Sequence, residues 1–204
     1  MDGRDYFPLE PGFFRTYRIE RIDYFIAEPS DTASYFSKEV VGDYFLSGGD
    51  TVYRIWNYQK QEWLSEWVAS GIHTVRIKGS EYVETRGTEA LVKFNLPLSD
   101  GRQWNGRAYT DVEPEIFSYQ QVGKPLSFDT LHFPHSVTVM HRNSPDSIVT
   151  YEVRWERLAK NVGLVAKESD VLNFCTRTDA CLGQLQIETG YRLRQYLISH
   201  GYEN

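Results

Sequence analysis

Along most of this chain apolar and polar residues alternate with a period of two, and helical periodicity is nearly absent. Strands are expected over Phe14–Phe25, Lys38–Leu46, Thr51–Gln59 and Glu62–Ser70, the last two joined as a hairpin at Lys60-Gln61, with turn material at Ala27–Ser34. Shorter ones follow at His73–Gly79, Glu81–Gly87 and Ala90–Leu98, separated by glycine turns that accept positive φ. Gln103–Thr110 reads as another strand, and Asp111–Gln120 as the one short helix or helical turn. Leu126–Phe133 and Ser136–Asn143 flank Pro134, which should interrupt pairing. Ile148–Phe174 reads as one long bent strand, or as two broken at Asn161–Gly163, and Gln184–Gly201 returns antiparallel. In Val149–Glu156 the odd positions Val149, Tyr151, Val153 and Trp155 are apolar while Thr150, Glu152, Arg154 and Glu156 are polar. One face is therefore expected to pack and the other to meet solvent.

Long, bent, sequentially connected antiparallel strands are what a sheet needs in order to close on itself. The fold class predicted is all-β, a strongly curved antiparallel sheet or incomplete barrel of about eight to twelve strands. No linker, low-complexity tract or charge block divides the chain, so residues 1–204 are expected to form a single domain, with residues 1–5 as a disordered lead-in.

One phrase occurs twice. Phe7-Pro8-Leu9-Glu10-Pro11-Gly12 precedes the first strand, and Leu96-Pro97-Leu98-Ser99-Asp100-Gly101 precedes another in mid-chain. Proline fixes φ and donates no hydrogen bond, and glycine permits a tight turn, so both copies read as strand lead-ins of one design. Their recurrence predicts two related halves.

Composition narrows the function. Aromatic residues make up 15% of the 204 residues, enough for a core without metal or dense disulfides. A net charge of −6, with basic residues scattered, argues against a nucleic-acid partner, which requires a basic stripe. No apolar run approaches the ~18 residues of a membrane span. Met1-Asp2-Gly3 reads as the start of a shortened chain, so a removed signal segment is expected upstream. The chain's two cysteines, Cys175 and Cys181, enclose the polar turn Thr176–Ala180. Their spacing is wrong for a CxxC redox or zinc pair, and a disulfide clamping a hairpin base is expected. Such a ring contributes about 2 kcal/mol by loop entropy and persists in an oxidising compartment.

The opening YFPLEPGFFRTY, the central LPLSDGRQWNG, the NVGLVAKES of Asn161–Ser169 and the closing GYRLRQYLISHG together resemble a family of bacterial envelope proteins, mostly small lipoproteins of Bacteroidetes-type bacteria. Members carry the pattern FPLxxGxxWxY, then LPLxxGxxWxG, GVGLVxKE and GYxLxQxLI, in the order found here. The chain departs from it at Phe14, taken as the place of the first tryptophan, and at Asn161. The resemblance implies a secreted, periplasmic or outer-membrane protein held to the membrane only through a lipid anchor, and a fold like those of lipoprotein carriers and lipocalins. It implies no catalytic residues and no cofactor.

Candidate chemistry is sparse. His132, His135 and His141 lie close in sequence, but six residues of strand span about 20 Å, too far for one metal ion. Glu62 and Glu66 flank Trp63 and Trp67, yet four strand residues hold them about 13 Å apart, too far for a glycosidase pair. No nucleophile elbow, P-loop, dinucleotide fingerprint or HExxH is present. A non-enzymatic role is expected. Trp56, Tyr58, Trp63, Trp67, Tyr151 and Trp155, with Tyr53, are the candidates for lining a concave surface that binds a small apolar ligand or an envelope protein. An interaction module without a ligand and a hydrolase with dispersed residues are the alternatives.

Overall fold

In the computed structural model the described residues are 3–128, 131–144 and 148–203. Twelve strands succeed one another: β1 (Phe13–Tyr24), β2 (Asp31–Ser47), β3 (Asp50–Lys60), β4 (Val68–Lys78), β5 (Glu81–Arg86), β6 (Glu89–Asn95), β7 (Gln103–Asn105), β8 (Ile116–Phe128), β9 (Leu131–Ser144), β10 (Thr150–Ala159), β11 (Gly163–Phe174) and β12 (Ile187–Tyr202). They form one antiparallel sheet in the order β6-β5-β4-β3-β2-β1-β12-β11-β10-β9-β8-β7. Viewed as a ring, this is an up-and-down meander in which β12 returns to pair with β1, from Phe13↔Tyr202 to Tyr24↔Gly190. The sheet nearly closes, and its open seam lies mid-chain, between β6 and β7. The predicted all-β curved sheet is what forms.

The doubled phrase sits where each half of the ring begins, before β1 and before β7. The turns of its two copies fold alike, although the peptide before the proline is cis at Leu96-Pro97 and not at Phe7-Pro8. The Phe13 N–H donates to the Glu10 carbonyl (3.0 Å) and the Arg102 N–H to the Ser99 carbonyl (3.2 Å). The third turn residue is a glycine in both, at φ +85° for Gly12 and +77° for Gly101, a region that a side chain would strain. Each glycine N–H then bonds the strand next door, Gly12 to the Val41 carbonyl (2.7 Å) and Gly101 to the Tyr119 carbonyl (2.9 Å).

The seam is held by a backbone bond and by side chains in place of a ladder. The Val92 N–H donates to the Gly106 carbonyl (2.8 Å), and the Trp104 indole Nε1–H to the Val92 carbonyl (2.7 Å). The Asn95 N–H donates to Tyr119 Oη (2.8 Å), whose own hydroxyl returns a bond to the Asn95 carbonyl (3.1 Å). Buried backbone groups of an edge strand are thus satisfied, which an open edge would not allow. Below the seam, Val92, Phe94, Trp104, Phe117 and Tyr119 join Val41, Ile55, Val75 and Leu158 in the larger of two core clusters. The N-terminal segment plugs this end, with the Phe7 ring 5.2 Å from Tyr82. A smaller cluster around Tyr17, Ile19, Val165 and Leu197 lies further along the barrel.

Several local expectations are corrected. Residues 1 and 2 lie outside the described residues, but residues 3–5 are ordered: Arg4–Tyr6 is a 3-10 turn, Lys160 pairs with Asp5 at 3.1 Å, and the Asn161 N–H donates to the Asp5 carbonyl. Glu62–Trp67 is a turn and not a strand, since β4 begins at Val68. The second strand begins earlier than expected, at Asp31. Asp111–Glu115 is irregular and leads straight into β8, so no helix forms there. Pro134 lies inside β9, tolerated because the register with β8 shifts between Lys124↔Ser136 and Leu126↔Phe133 and no ladder bond is required of it. The cysteine pair is as expected: Cys175 and Cys181 are disulfide-bonded at the β11–β12 connection.

Replacing Trp104 by Phe should leave the Val92 carbonyl without its donor and cost about 1 to 3 kcal/mol in urea denaturation. Amide exchange of Val92 and Asn95 should accelerate relative to the β1–β12 amides, whereas unchanged stability and exchange would mean that the seam does not depend on this bond.

Candidate functional site

On β1 the residues Phe13, Arg15, Tyr17 and Ile19 share one face. Phe13, Tyr17 and Ile19 are core residues, so Arg15 is a charge set into an apolar stripe, and it is only 5% exposed. Directly opposite on β2 stands Glu39, with Arg15 Nη2 3.6 Å from Glu39 Oε2. The other Glu39 oxygen accepts from Arg86 Nη2 (3.0 Å), and Arg86 Nε donates to Glu84 Oε1 (2.8 Å). Glu84 Oε2 in turn faces His73 Nε2 at 3.6 Å. This chain of charges crosses the inner wall from β1 to β5.

A second group gathers on Glu156 of β10. Lys93 Nζ donates to its Oε1 at 2.5 Å, Lys167 Nζ lies 3.3 Å from the same oxygen, and His141 Nε2 lies 3.6 Å from Oε2. Lys167 is the cross-strand partner of Glu156, but Lys93 and His141 come from β6 and β9 by a different route. Each is the extra residue of a β-bulge. Val83↔Val92 is followed by Tyr82↔Phe94, and Arg154↔Arg142 by Trp155↔Met140, leaving Lys93 and His141 unpaired in the ladder. A bulge re-aims its side chain, and both are buried beside Glu156. The Lys93–Glu156 pair spans the barrel interior.

Together these groups form a charged belt around a cavity of about 460 Å³. Phe7, Leu9 and Leu158 bound it on the plugged side, and Ile19, Leu164 and Leu193 on the other. Gly163, at φ +85°, makes room for the belt: a Cβ there would lie 2.3 Å from Arg15 Nη1.

The electrostatics arise from burial opposed by pairing. Burial alone would raise the Glu84 carboxyl, but Arg86, Lys93 and His73 outweigh it and hold it at about 2. Glu156 is likewise subject to burial, yet Lys93 and Lys167 hold it well below the usual carboxylate range. Glu39 is held low by Arg15 and Arg86 against its burial. Burial pushes His73 and His141 down despite their carboxylate neighbours, so both favour the neutral form. Lys93 is raised: its burial opposes the charge, and Glu156 and Glu84 more than compensate.

The expected aromatic site does not assemble. Of Trp56, Tyr58, Trp63, Trp67, Tyr151 and Trp155, Tyr58 alone lines the cavity. Trp56 is on the face opposite core residue Ile55 and covers Gly42, where a Cβ would meet its indole nitrogen at 2.6 Å. Trp63 and Trp67 stand on the β3–β4 turn around the Lys60 ammonium, each ring 4.7 Å away. Tyr53 borders the plugged end. Tyr151 and Trp155 lie on the strand face opposite Glu156 and Leu158, so the expected orientation of β10 is reversed: the alternate polar residue Glu156 is 4% exposed. The inside of a hollow barrel can take charge, provided each charge finds a partner. His132 and His135 engage Ser127 Oγ (2.7 Å) and the Gly123 carbonyl (3.4 Å), well apart in role from the buried His141, which stacks on Phe117.

The belt escapes a reading of the sequence because each member looks like one ordinary polar residue in an alternating strand. One signal is present in the doubled phrase. Counting three residues on from the shared glycine reaches Trp104 in the second copy and Arg15, not Phe14, in the first. A charge stands where the parallel copy puts a buried indole.

No protein-family model matches the chain, and no curated protein matches it. Among solved structures, a Bacteroides fragilis protein predicted to be exported, with a YmcC-like fold, resembles it over 96% of this chain and 98% of that one, at a TM-score of 0.47 and 10% sequence identity. Such a likeness in outline says nothing about chemistry.

The belt predicts how stability depends on pH. Glu84, Glu156, Glu39, His73 and His141 all have folded values below their unfolded ones, so each contributes stability that is present above its unfolded pKa and lost as pH falls. Loss should begin below about pH 6.5 with the histidines and steepen below about 4.5 with the carboxylates. Lys93 acts oppositely, its contribution fading as pH rises past about 10.5. Urea midpoints across pH check this, and a profile flat from pH 7 to 4 would contradict it. Glu156→Ala, which leaves Lys93 buried without its carboxylate, should cost about 3 to 5 kcal/mol at neutral pH.

Proposed function

We propose that this chain is a non-enzymatic protein of the bacterial cell envelope, lipid-anchored in its natural form, whose barrel interior binds a small ligand. The cavity of about 460 Å³ inside the barrel wall carries this reading. It lies in the size range of small-molecule sites and joins apolar walls to a few convergent polar groups, as such sites do. A ligand with a polar part suits this lining better than the wholly apolar one expected from the strand aromatics. The compartment is supported by the Cys175–Cys181 bridge, which an oxidising environment maintains, and by the ordered motifs shared with the envelope family.

Native mass spectrometry of the protein purified from its own cells tests both parts. A reproducible extra mass that is lost on denaturation is expected. The denatured chain should also weigh two hydrogens less than its reduced form, with Cys175 and Cys181 joined. A clean unliganded mass would favour a pure interaction module, and two free thiols would remove the support for an oxidising compartment.

A further inference from the structure

The cavity lining is not neutral. Its cations are Arg15, Arg86, Lys93 and Lys167, and its carboxylates are Glu39, Glu84 and Glu156, four against three, with His73 favouring the neutral form. By pairing, the extra charge sits where Lys93 and Lys167 share Glu156, whereas Arg15 is the cation left without a hydrogen bond to a carboxylate. Arg86 makes hydrogen bonds to both Glu39 and Glu84, and Lys93 and Lys167 share Glu156. Among the described residues, Arg15 is left with one carboxylate neighbour at 3.6 Å, beyond hydrogen-bond reach, and that carboxylate already serves Arg86. The Arg15 Nε is buried with no hydrogen-bond partner among them, and the Phe13 ring is 5.9 Å from its guanidinium carbon.

A guanidinium carries five N–H donors in a planar fork that fits a carboxylate through two parallel bonds. To bury one with a donor unsatisfied costs free energy that a ligand oxygen would restore. Two and four residues further along the same β1 face come Tyr17 and Ile19, and Ile19, Leu164 and Leu193 give the cavity an apolar wall. Charge surplus and apolar wall thus border one space.

We propose that the barrel interior binds a small amphiphilic carboxylic acid, with the carboxylate on Arg15 and the hydrocarbon body against Ile19, Leu164 and Leu193. This rests on the reading of the interior as a ligand site and adds the ligand's chemical class. The carboxylate neutralises the surplus charge of the belt and gives the Arg15 guanidinium, which lines the cavity, a partner of opposite charge. The counterpart position in the second half of the ring, Trp104, already spends its one N–H on the Val92 carbonyl, so the two halves share a turn but differ in the strand beyond it.

Isothermal titration of the intact protein with octanoate, octanol and octylammonium, which differ only in the head group, tests this. Octanoate should bind one-to-one and at least about tenfold more tightly than either of the others, as a charge-assisted bond requires. Arg15→Gln should lower octanoate affinity by about tenfold or more and leave octanol unchanged, while Arg15→Lys should recover part of it. If Arg15→Gln does not fold, as judged by circular dichroism, the head-group comparison on the unaltered protein decides alone. Equal affinity for octanoate and octanol would overturn the carboxylate assignment and leave the interior as a ligand site. Tighter binding of octylammonium would overturn it through the sign of the charge. If none of the three binds, the carboxylate proposal fails, and the reading of the interior as a site falls with it only if the native mass is also clean.

Discussion

The ion pair between Lys93 and Glu156 is what the rest of the interior is built around. It joins β6 to β10 across the seam side of the ring, through a region where both groups are almost fully withdrawn from water. Desolvating two charges costs several kcal/mol each, and only close pairing with further hydrogen bonds offsets that. Lys167 and His141 gather on the same carboxylate for this reason, and Glu84 supplies a second negative neighbour to Lys93. A belt of this kind cannot collapse into a dry hydrocarbon core. The barrel stays hollow at the level of its charges and packs tightly only to either side, where the two apolar clusters lie.

Two irregularities of the sheet serve that belt. Two bulges, in β6 and β9, each add one residue that no partner strand can pair, and in both cases that residue is a titratable group turned toward Glu156. Gly163 keeps β11 clear of the Arg15 guanidinium. The N-terminal segment covers one end of the barrel with Phe7 and Leu9, which face the cavity. Strand twist and length alone would give a curved sheet. The bulges, the glycine and the plug turn that sheet into an enclosure with a defined interior chemistry.

The fold is legible in the sequence and the site is not, for one physical reason. Period-two alternation reports that a strand has two different faces, but it does not report which face is inside. For a barrel with a dry core the apolar face must be inside, and on that basis Tyr151 and Trp155 would point inward. In β10 the orientation inverts, because Glu156 points into a partly polar interior and the aromatics take the other face. Bulges compound the difficulty, since Lys93 and His141 are turned inward by register slips against neighbouring strands, which no local pattern announces. Turn chemistry is easier to read because it is local. The Pro-Leu-x-x-Gly phrase states its own φ requirement, and both copies make the same bonds. The cysteine pair is likewise readable, as two residues so close along one hairpin have few other ways to meet.

The topology also decides where the ring is mechanically weakest. The long ladder between β1 and β12 closes the whole chain into one loop, which is the most expensive closure in entropy that the molecule makes. The interrupted join falls between β6 and β7, whose ends are already tethered by residues 96–102. Parting there separates strands that covalent linkage keeps together, so re-engagement is a short-range search within a tethered pair. The molecule is in this sense a cuff with its clasp in the middle of the band, while its two ends are joined strand to strand.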